Sequence, residues 1–266
     1  MRHHGRVTIV FLHAHPDDEA SGTAGSMILA SDAGQRVVAV YATGGELGTV
    51  PDGVGVDGLA AHRRAEAEAS ARVTGTARVE WLGYRDSGMH GWEQNSHDGS
   101  FHGADVDEAA GRLAAILDEE DADVLVGYDW HGGYGHPDHV QVHRVAHRAA
   151  ELAARRPRLL EGTMNRDEIR RGIAAAKEMG MDPGWDADEP MADGEPIGLP
   201  QEQIHHRVDV TGVLDRKRRA LECHGSQEDV QGMLQMPPPA YTAMFGVEYY
   251  TEPGAEPGMV DGNPFV

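Results

Sequence analysis

The sequence predicts an α/β protein: a Rossmann-like, mostly parallel sheet with helices on both faces, followed by a smaller, irregular C-terminal part. Three observations predict it. Short apolar runs alternate four times with helical segments, the pattern of parallel βαβ units. The clearest runs are continuously apolar, as in strands buried on both faces. The chain has 266 residues, 40% of them apolar and 25% charged, so it can bury a core and is not disordered by composition.

The first strand is Arg6 to Leu12. It runs into His13-Ala14-His15-Pro16-Asp17-Asp18-Glu19, and a helix is expected from Ala20 to Ala33 with Gly34 as its stop. Arg36 to Thr43 is the second strand and ends in a glycine loop, Gly44 to Gly48. Val50 to Gly58 reads as loop, and Leu59 to Val73, rich in Ala, Glu and Arg, as a helix. Ala77 to Leu82 is the third strand. Tyr84 to Gly103 is a long irregular stretch with four glycines, and such loops are usually functional. Asp105 caps a helix reaching Glu120. Ala122 to Tyr128 is the fourth strand; it leads through Asp129-Trp130-His131-Gly132-Gly133-Tyr134-Gly135-His136 to Pro137, placed for the first turn of a helix running to Arg155. Glu161 to Pro200 is acidic, carries Met164, Met179, Met181 and Met191, and holds one helical stretch, Arg166 to Met179; it reads as an insertion covering the domain. Val208 to Val210 is a short strand and Val213 to Cys223 a helix. The expected organisation is one α/β domain over 1–251 and a Gly- and Pro-rich tail, 252–266, loosely held.

Charge and cysteine content narrow the function. Lys and Arg number 23 against 44 Asp and Glu, a net charge of −21, which repels nucleic-acid backbones and anionic membranes. No apolar run approaches the ~18 residues of a spanning helix, and Met1-Arg2-His3-His4 leads into a run too short for a signal peptide, so a cytoplasmic protein is expected. Cys223 is the single cysteine, which excludes an intrachain disulfide and a Cys-based zinc finger. Lys177 and Lys217 are the only lysines, in keeping with a GC-rich genome or a salt-adapted surface.

Ligands bind at the carboxyl ends of the strands in such sheets, and both histidine-rich motifs fall there. His15-Pro16-Asp17-Asp18 offers an imidazole and two carboxylates; His136-Pro137-Asp138-His139 offers two imidazoles and a carboxylate. Two imidazoles and one carboxylate suit zinc with a position left open for water. Of two adjacent carboxylates only one normally faces a given metal, which frees the other to act as a base. The chain has 16 histidines, most of them to be expected in solvent or in loop hydrogen bonds; the repetition of His-Pro-Asp at two strand ends is what singles these out.

His15-Pro16-Asp17-Asp18-Glu19 after the first strand, with Gly135-His136-Pro137-Asp138-His139 after the fourth, resembles the PIG-L (LmbE-like) zinc N-deacetylases. The resemblance covers residues 6–155 and resumes at Val208 to Gln227, where Val208-Asp209-Val210, Asp215-Arg216-Lys217 and His224-Gly225-Ser226-Gln227 look like the closing helix of that family. Within it, Arg85-Asp86-Ser87-Gly88-Met89 and Gly132-Gly133-Tyr134-Gly135 look most like the mycothiol-pathway branch, which holds an N-acetylglucosaminyl-inositol deacetylase and a mycothiol S-conjugate amidase. The 161–200 segment has no counterpart in the resemblance. The resemblance implies that His15, Asp18 and His139 ligate zinc, with ferrous iron as the alternative ion, and that Asp17 is the general base. It implies that His136 stabilises the oxyanion as a cation or protonates the leaving amine, that Asp138 orients His136 by accepting its ring N–H, and that Tyr134 is a mobile second contact to the tetrahedral intermediate. Arg63 and Asp86 would hold the sugar and inositol hydroxyls.

Other candidates have plainer readings. His13 is expected to tuck beneath the site. His139, His143 and His147 share one helix face, but the last two lie further from the strand ends, so a solvated or core-edge face is the stronger reading. Glu46 is expected to order its glycine loop. Cys223 and His224 are sequence neighbours that point apart on a helix, so a small buried Cys is expected rather than a dyad, with His224 free to reach the site. A nucleotide-binding domain would need Gly-x-Gly-x-x-Gly after the first strand, and this chain has His-Ala-His-Pro-Asp-Asp-Glu there. A binding or sensing protein without catalysis would not need Asp17 and His136 beside the three ligands. The reading is therefore a zinc-dependent hydrolase that deacetylates an N-acetylglucosaminyl conjugate, the alternative being an amidase for a larger amide such as a mycothiol S-conjugate. Gly135 favours the deacetylase, since the amidase branch tends to carry proline there. The expected partner is a small N-acylated sugar, with homo-oligomerisation left open.

Overall fold

The computed structural model describes residues 6–180 and 184–265; the N-terminal residues 1–5 and Met181 of the acidic segment lie outside the described residues. The strands are β1 (Thr8–His13), β2 (Arg36–Thr43), β3 (Arg78–Tyr84), β4 (Val124–Tyr128), β5 (Arg158–Thr163), β6 (His206–Asp209), β7 (Val247–Thr251) and β8 (Val260–Asp261). The helices are α1 (Asp18–Gly22), α2 (Ala24–Asp32), α3 (Leu59–Thr74), α4 (Val106–Glu119), α5 (Pro137–Leu152), α6 (Arg166–Glu178), α7 (Leu214–Glu222), α8 (Glu228–Leu234) and α9 (Pro238–Phe245).

The strands form one sheet in the order β3-β2-β1-β4-β5-β7-β6-β8. The first five are parallel, and β7 runs antiparallel to both β5 and β6. Period-two alternation divides the apolar runs between two layers. Val10, Leu12, Val38 and Val40 face Leu113, Val142 and Val145 of α4 and α5. Ile9, Phe11, Val37 and Ala39 face the other way, toward Met27 of α2 and Ala67 of α3. The chain crosses from one layer to the other between β1 and β4, the switch point at which parallel sheets open a crevice. Both histidine motifs follow these two strands.

The structure corrects four expectations. The single helix over Ala20–Ala33 is two, broken at Thr23, which leaves the helical region at φ −135°. The freed N–H groups of Gly25 and Ser26 donate to the Glu248 carboxylate on β7, so a partner distant in sequence caps α2. The segment read as an insertion from Glu161 begins inside a strand, because β5 continues the parallel sheet beside β4 through Thr163. The tail from 252 is tied down at its far end: β8 pairs with β6, and Phe265 is buried against Phe11 and Tyr250. Cys223 is half-buried at the end of α7, not a core residue, and its Sγ donates to the Arg219 carbonyl.

Candidate active site

The loop after β1 carries His15, Asp17 and Asp18; the loop after β4 and the first turn of α5 carry Tyr134, His136, Asp138 and His139. The second loop is shaped by its glycines. Gly132 sits at φ +61°, and a Cβ there would lie 2.3 Å from that of His139. Gly135 sits at φ +82° with Asp193 against it. Proline, locked near φ −65°, has no place at such a position. Asp129, fully buried, accepts the N–H groups of His131 and Gly133 and the Thr163 hydroxyl, and so holds the loop from beneath.

The ring hydrogen bonds fix which nitrogens face inward. His139 Nδ1–H donates to the Gly132 carbonyl at 3.1 Å, which leaves Nε2 as a bare lone pair. That atom is buried without a hydrogen-bond partner and lies 3.3 Å from Asp18 Oδ1. His15 Nε2–H donates to Asp138 Oδ2 at 3.1 Å, and its Nδ1 turns to Asp18 Oδ2, 3.5 Å away. Two imidazole nitrogens thus converge on one carboxylate, an arrangement that a cation in place of a ring proton satisfies and that matches the way metal-binding histidines are held by their second nitrogen. The residues present therefore fit a divalent metal. Ring nitrogens of His15, His136 and His139 also lie close enough to share an ion, as do atoms of His15, Asp86 and Asp138. His136 Nδ1 and the Asp138 carboxylate already accept protein N–H and O–H groups. That favours His15, Asp18 and His139 as the ligand set. The surroundings are strongly cation-seeking. Burial would push the His15 imidazole down, but Asp86, Asp138 and Asp18 raise it well above its usual range.

Asp17 lies beside this set. Its backbone is left-handed at φ +102°, unusual for a residue with a side chain. Its carbonyl accepts the N–H groups of Ala20 and Ser21, Arg63 Nη2–H donates to its Oδ2 at 2.6 Å, and its own N–H donates to Glu19 Oε2 at 3.1 Å. Burial and the neighbouring Asp18 raise its carboxyl to about 7 against the pull of Arg63. Arg63 also donates to the carbonyls of Gly45 and Pro16, and its buried Nε has no partner. Expected as a substrate contact, Arg63 first of all fixes the base. Asp86 accepts the N–H groups of Leu47 and Gly88 and lies 3.6 Å from His15 Nε2. Glu46 accepts the Asp86 N–H and orders the glycine loop as anticipated.

The dyad expected between Asp138 and His136 is absent. The His136 ring accepts the Asp138 backbone N–H at Nδ1, while the carboxylate accepts from Ser87 N, Ser87 Oγ and His15. Proline at the first turn of α5 turns the two side chains apart and makes His136 the N-cap. Burial, together with His15 and His139, pushes the His136 imidazole well below its ordinary value. Tyr134 packs its ring edge-on against His139 with centroids 4.9 Å apart. His13 lies beneath the site as expected, bonded to the Tyr128 hydroxyl.

Sequence reasoning missed the support on the far side of the loop. Glu19, 2% exposed, accepts Ser70 Oγ–H and His224 Nε2–H at Oε1, each at 2.6 Å. His224 therefore reaches the site through Glu19. The only advance signal was Glu19 closing the His15-Pro16-Asp17-Asp18 motif. The acidic segment returns over the second loop: Gly198 N–H donates to the Gly133 carbonyl, and Asp193 lies 2.6 Å from His131.

Residues 10–150 match the model of the PIG-L family, described as GlcNAc-PI de-N-acetylase. The chain is 37% identical to a 1D-myo-inositol 2-acetamido-2-deoxy-alpha-D-glucopyranoside deacetylase of Salinispora arenicola, over 94% of this chain and 87% of the relative. It is 36% identical to the enzyme of the same name from Streptomyces avermitilis, over 91% and 90%. Among solved structures it resembles N,N'-diacetylchitobiose deacetylase from Pyrococcus horikoshii, with a TM-score of 0.58, 24% identity and 92% and 82% of the two chains covered. It resembles equally the 4-carboxy-2-hydroxymuconate hydratase GalB of Pseudomonas putida, with a TM-score of 0.59, 16% identity and 94% and 97% covered. One fold thus carries both a hydrolase and a hydratase, so the likeness of architecture does not choose the reaction.

Proposed function

The chain belongs to the PIG-L family of de-N-acetylases, and from that premise we propose that it is a metal-dependent amidohydrolase that removes acetate from an N-acetylglucosaminyl conjugate with an inositol or similar polyol aglycone. The observation that carries the chemistry is the bare Nε2 of His139 facing the Asp18 carboxylate, with Asp17 beside it. His15, Asp18 and His139 would hold the ion, zinc or ferrous iron. When bound, such an ion supplies Lewis acidity, polarising an amide carbonyl and acidifying water.

The chain's own groups do the rest. Asp17, whose proton exchanges near pH 7, takes a proton from the attacking water and returns it to the departing amine, which leaves poorly unless protonated. His136 is neutral with Nδ1 accepting, so its proton is on Nε2; the ring acts as a hydrogen-bond donor to the developing oxyanion, not as a charge. Asp138 orients His15, and Tyr134 flanks His139 as a further contact. Arg63, through its unpartnered Nε, and Asp86 would meet the hydroxyls of the sugar conjugate. A site built on such bonds loses heavily when the substrate lacks their partners. The tail from 252 joins the same sheet through β8, so the described residues are read as a single domain, with Asp193 and Gly198 of the acidic segment lying over the loop after β4. Among the described residues, no helix is long and apolar enough to cross a membrane.

The test is a substrate panel read as free amine. N-acetylglucosaminyl-inositol should be hydrolysed faster than free N-acetylglucosamine, and both faster than a cysteinyl-amide thiol conjugate. A conjugate that outran every N-acetyl sugar would make the protein an amidase instead.

A further inference from the structure

We propose that His143, His147 and Glu161 form a second metal site, for a zinc-like transition-metal dication, distinct from the one at the strand ends. His143 and His147 are four residues apart on α5, so both rings lie on one helix face with centroids 4.4 Å apart. Glu161 reaches them from β5: its Oε1 is 2.9 Å from His143 Nδ1 and 2.7 Å from His147 Nε2. The three ligand atoms lie within 4.8 Å of one another. Two histidines at this helical spacing with one glutamate are a zinc donor set.

The charge distribution asks for a cation there. Glu161 is only 7% exposed, and among the described residues its ion pairs are with these two imidazoles and with no arginine or lysine. A buried carboxylate needs countercharge. Burial lowers the His143 imidazole but Glu161 raises it above its ordinary value, so a ring proton supplies the countercharge when no ion is bound; a dication would supply it instead and use both lone pairs. The side chains of His143 and His147 are 23% and 37% exposed, so ions have access and water completes the coordination. The set lies one and two helical turns beyond His139, about 6 and 12 Å along the axis, and shares no residue with the first site. It would pin α5, which presents His136 and His139, to β5.

Loading requires an exchange. Without an ion, His143 Nδ1 also lies 3.2 Å from the Tyr128 carbonyl and donates there. A bound ion displaces the Nδ1 proton, to Nε2 in the neutral ring or to solvent from the doubly protonated one. The site therefore binds more weakly than the strand-end set, whose inward ring nitrogens make no such bond to a backbone carbonyl.

The experiment counts zinc bound to the full chain by equilibrium dialysis and follows thermal unfolding in parallel. Wild type should take up two equivalents, the second weaker, with a rise in the unfolding midpoint as the second fills; magnesium should give neither. H147A and E161Q should each lose the second equivalent and that rise while keeping the first, and H139A should lose the first and keep the second. H147A changes a partly exposed residue and decides the matter if E161Q fails to fold. Uptake of one equivalent by wild type, or a second equivalent that survives in H147A, would overturn the proposal.

Discussion

Glu19→Gln should slow the reaction without removing the metal. The Glu19 carboxylate has two acceptor oxygens, both in use: Oε2 takes the Asp17 N–H, and Oε1 takes Ser70 and His224. Glutamine keeps one oxygen and replaces the other by a donor. If the oxygen faces Ser70 and His224, the new NH2 confronts the Asp17 N–H; if it is flipped, it confronts His224 and Ser70. Either way a buried donor loses its acceptor, which costs about 1–3 kcal/mol. Asp17 stands at φ +102°, a conformation its surroundings must impose, and the lost bond is the one made by its own backbone N–H. Felt fully in the transition state, that energy is a loss of about 5- to 150-fold in kcat at 1.36 kcal/mol per tenfold. KM should hold, because Glu19 makes no bond to Arg63 or Asp86. The metal content should stay as in wild type, since no hydrogen bond joins Glu19 to the side chains of His15, Asp18 or His139. Ser70→Ala is the control: it removes a partner of Oε1, leaves the Asp17 bond intact, and should alter kcat by less than about threefold. Steady-state kinetics and metal analysis on the three proteins decide. Equal losses in the two variants, or wild-type kcat in Glu19→Gln, would refute the argument that this carboxylate positions the base.

Three further outcomes are expected. Asp17→Asn should retain metal, because its carboxylate is bound to Arg63 and lies outside the converging lone pairs, yet lose about 10²–10⁴ in kcat; turnover near wild type would remove Asp17 from its role. Lys217→Met should lower stability by about 3–5 kcal/mol. It strands the Glu248 carboxylate that caps α2, and the pair is 1% and 2% exposed at 2.7 Å. The midpoint should fall by about 10 °C, and Lys217→Met with Glu248→Gln should recover part of it; a drop of under about 2 °C would show the pair to be dispensable. Glu120 is held down to about 2 by Arg36, with Arg78 helping and burial opposing. Its folded value lies below the ordinary 4.5, so its contribution is complete above that pH and is lost as pH falls toward 2. The gap in unfolding midpoint between wild type and Glu120→Gln should therefore be full at neutral pH and close through that acid window; a pH-independent gap would contradict the assignment.

The legible part of the fold is the part with undivided apolar runs. β1, β2 and β4 are buried on both faces by neighbours that contribute only hydrocarbon, so their sequences carry the whole signal. β7 was not legible for the opposite reason. Its inward positions include Glu248, a charge placed in the core to bind Gly25, Ser26, Lys217 and Tyr250, and a buried charge inverts the pattern that marks a strand. β5 has only Leu159 and Leu160 before Glu161, whose burial depends on two histidines of a helix earlier in the chain. The break at Thr23 likewise rests on a cap supplied from residue 248. Each miss is a polar group made tolerable inside by a partner far away in sequence.

The same rule divides the site. That His15, Asp17, Asp18, His136 and His139 meet was legible because they come from two short motifs, each at the end of a strand whose position the apolar pattern already gave. What the motifs could not show was the direction of each hydrogen bond. Asp138 follows His136 by two residues, and its carboxylate nevertheless serves His15, because Pro137 starts a helix between them and Ser87 approaches from the loop after β3. That difference alters the proposed chemistry: a His136 without a carboxylate partner would donate a hydrogen bond, and the proton that leaves with the amine is assigned to Asp17. The groups around Asp17 (Arg63, Glu19, Ser70 and His224) come from two helices, α1 and α3, and the end of a third, α7, and only folding reveals that they meet. Gly135 ties the two levels together. Its φ of +82° and the Asp193 carboxylate against it make the residue before the second motif a requirement of this loop, so a proline there would need a different path for the chain into His136, and with it a different mouth to the site.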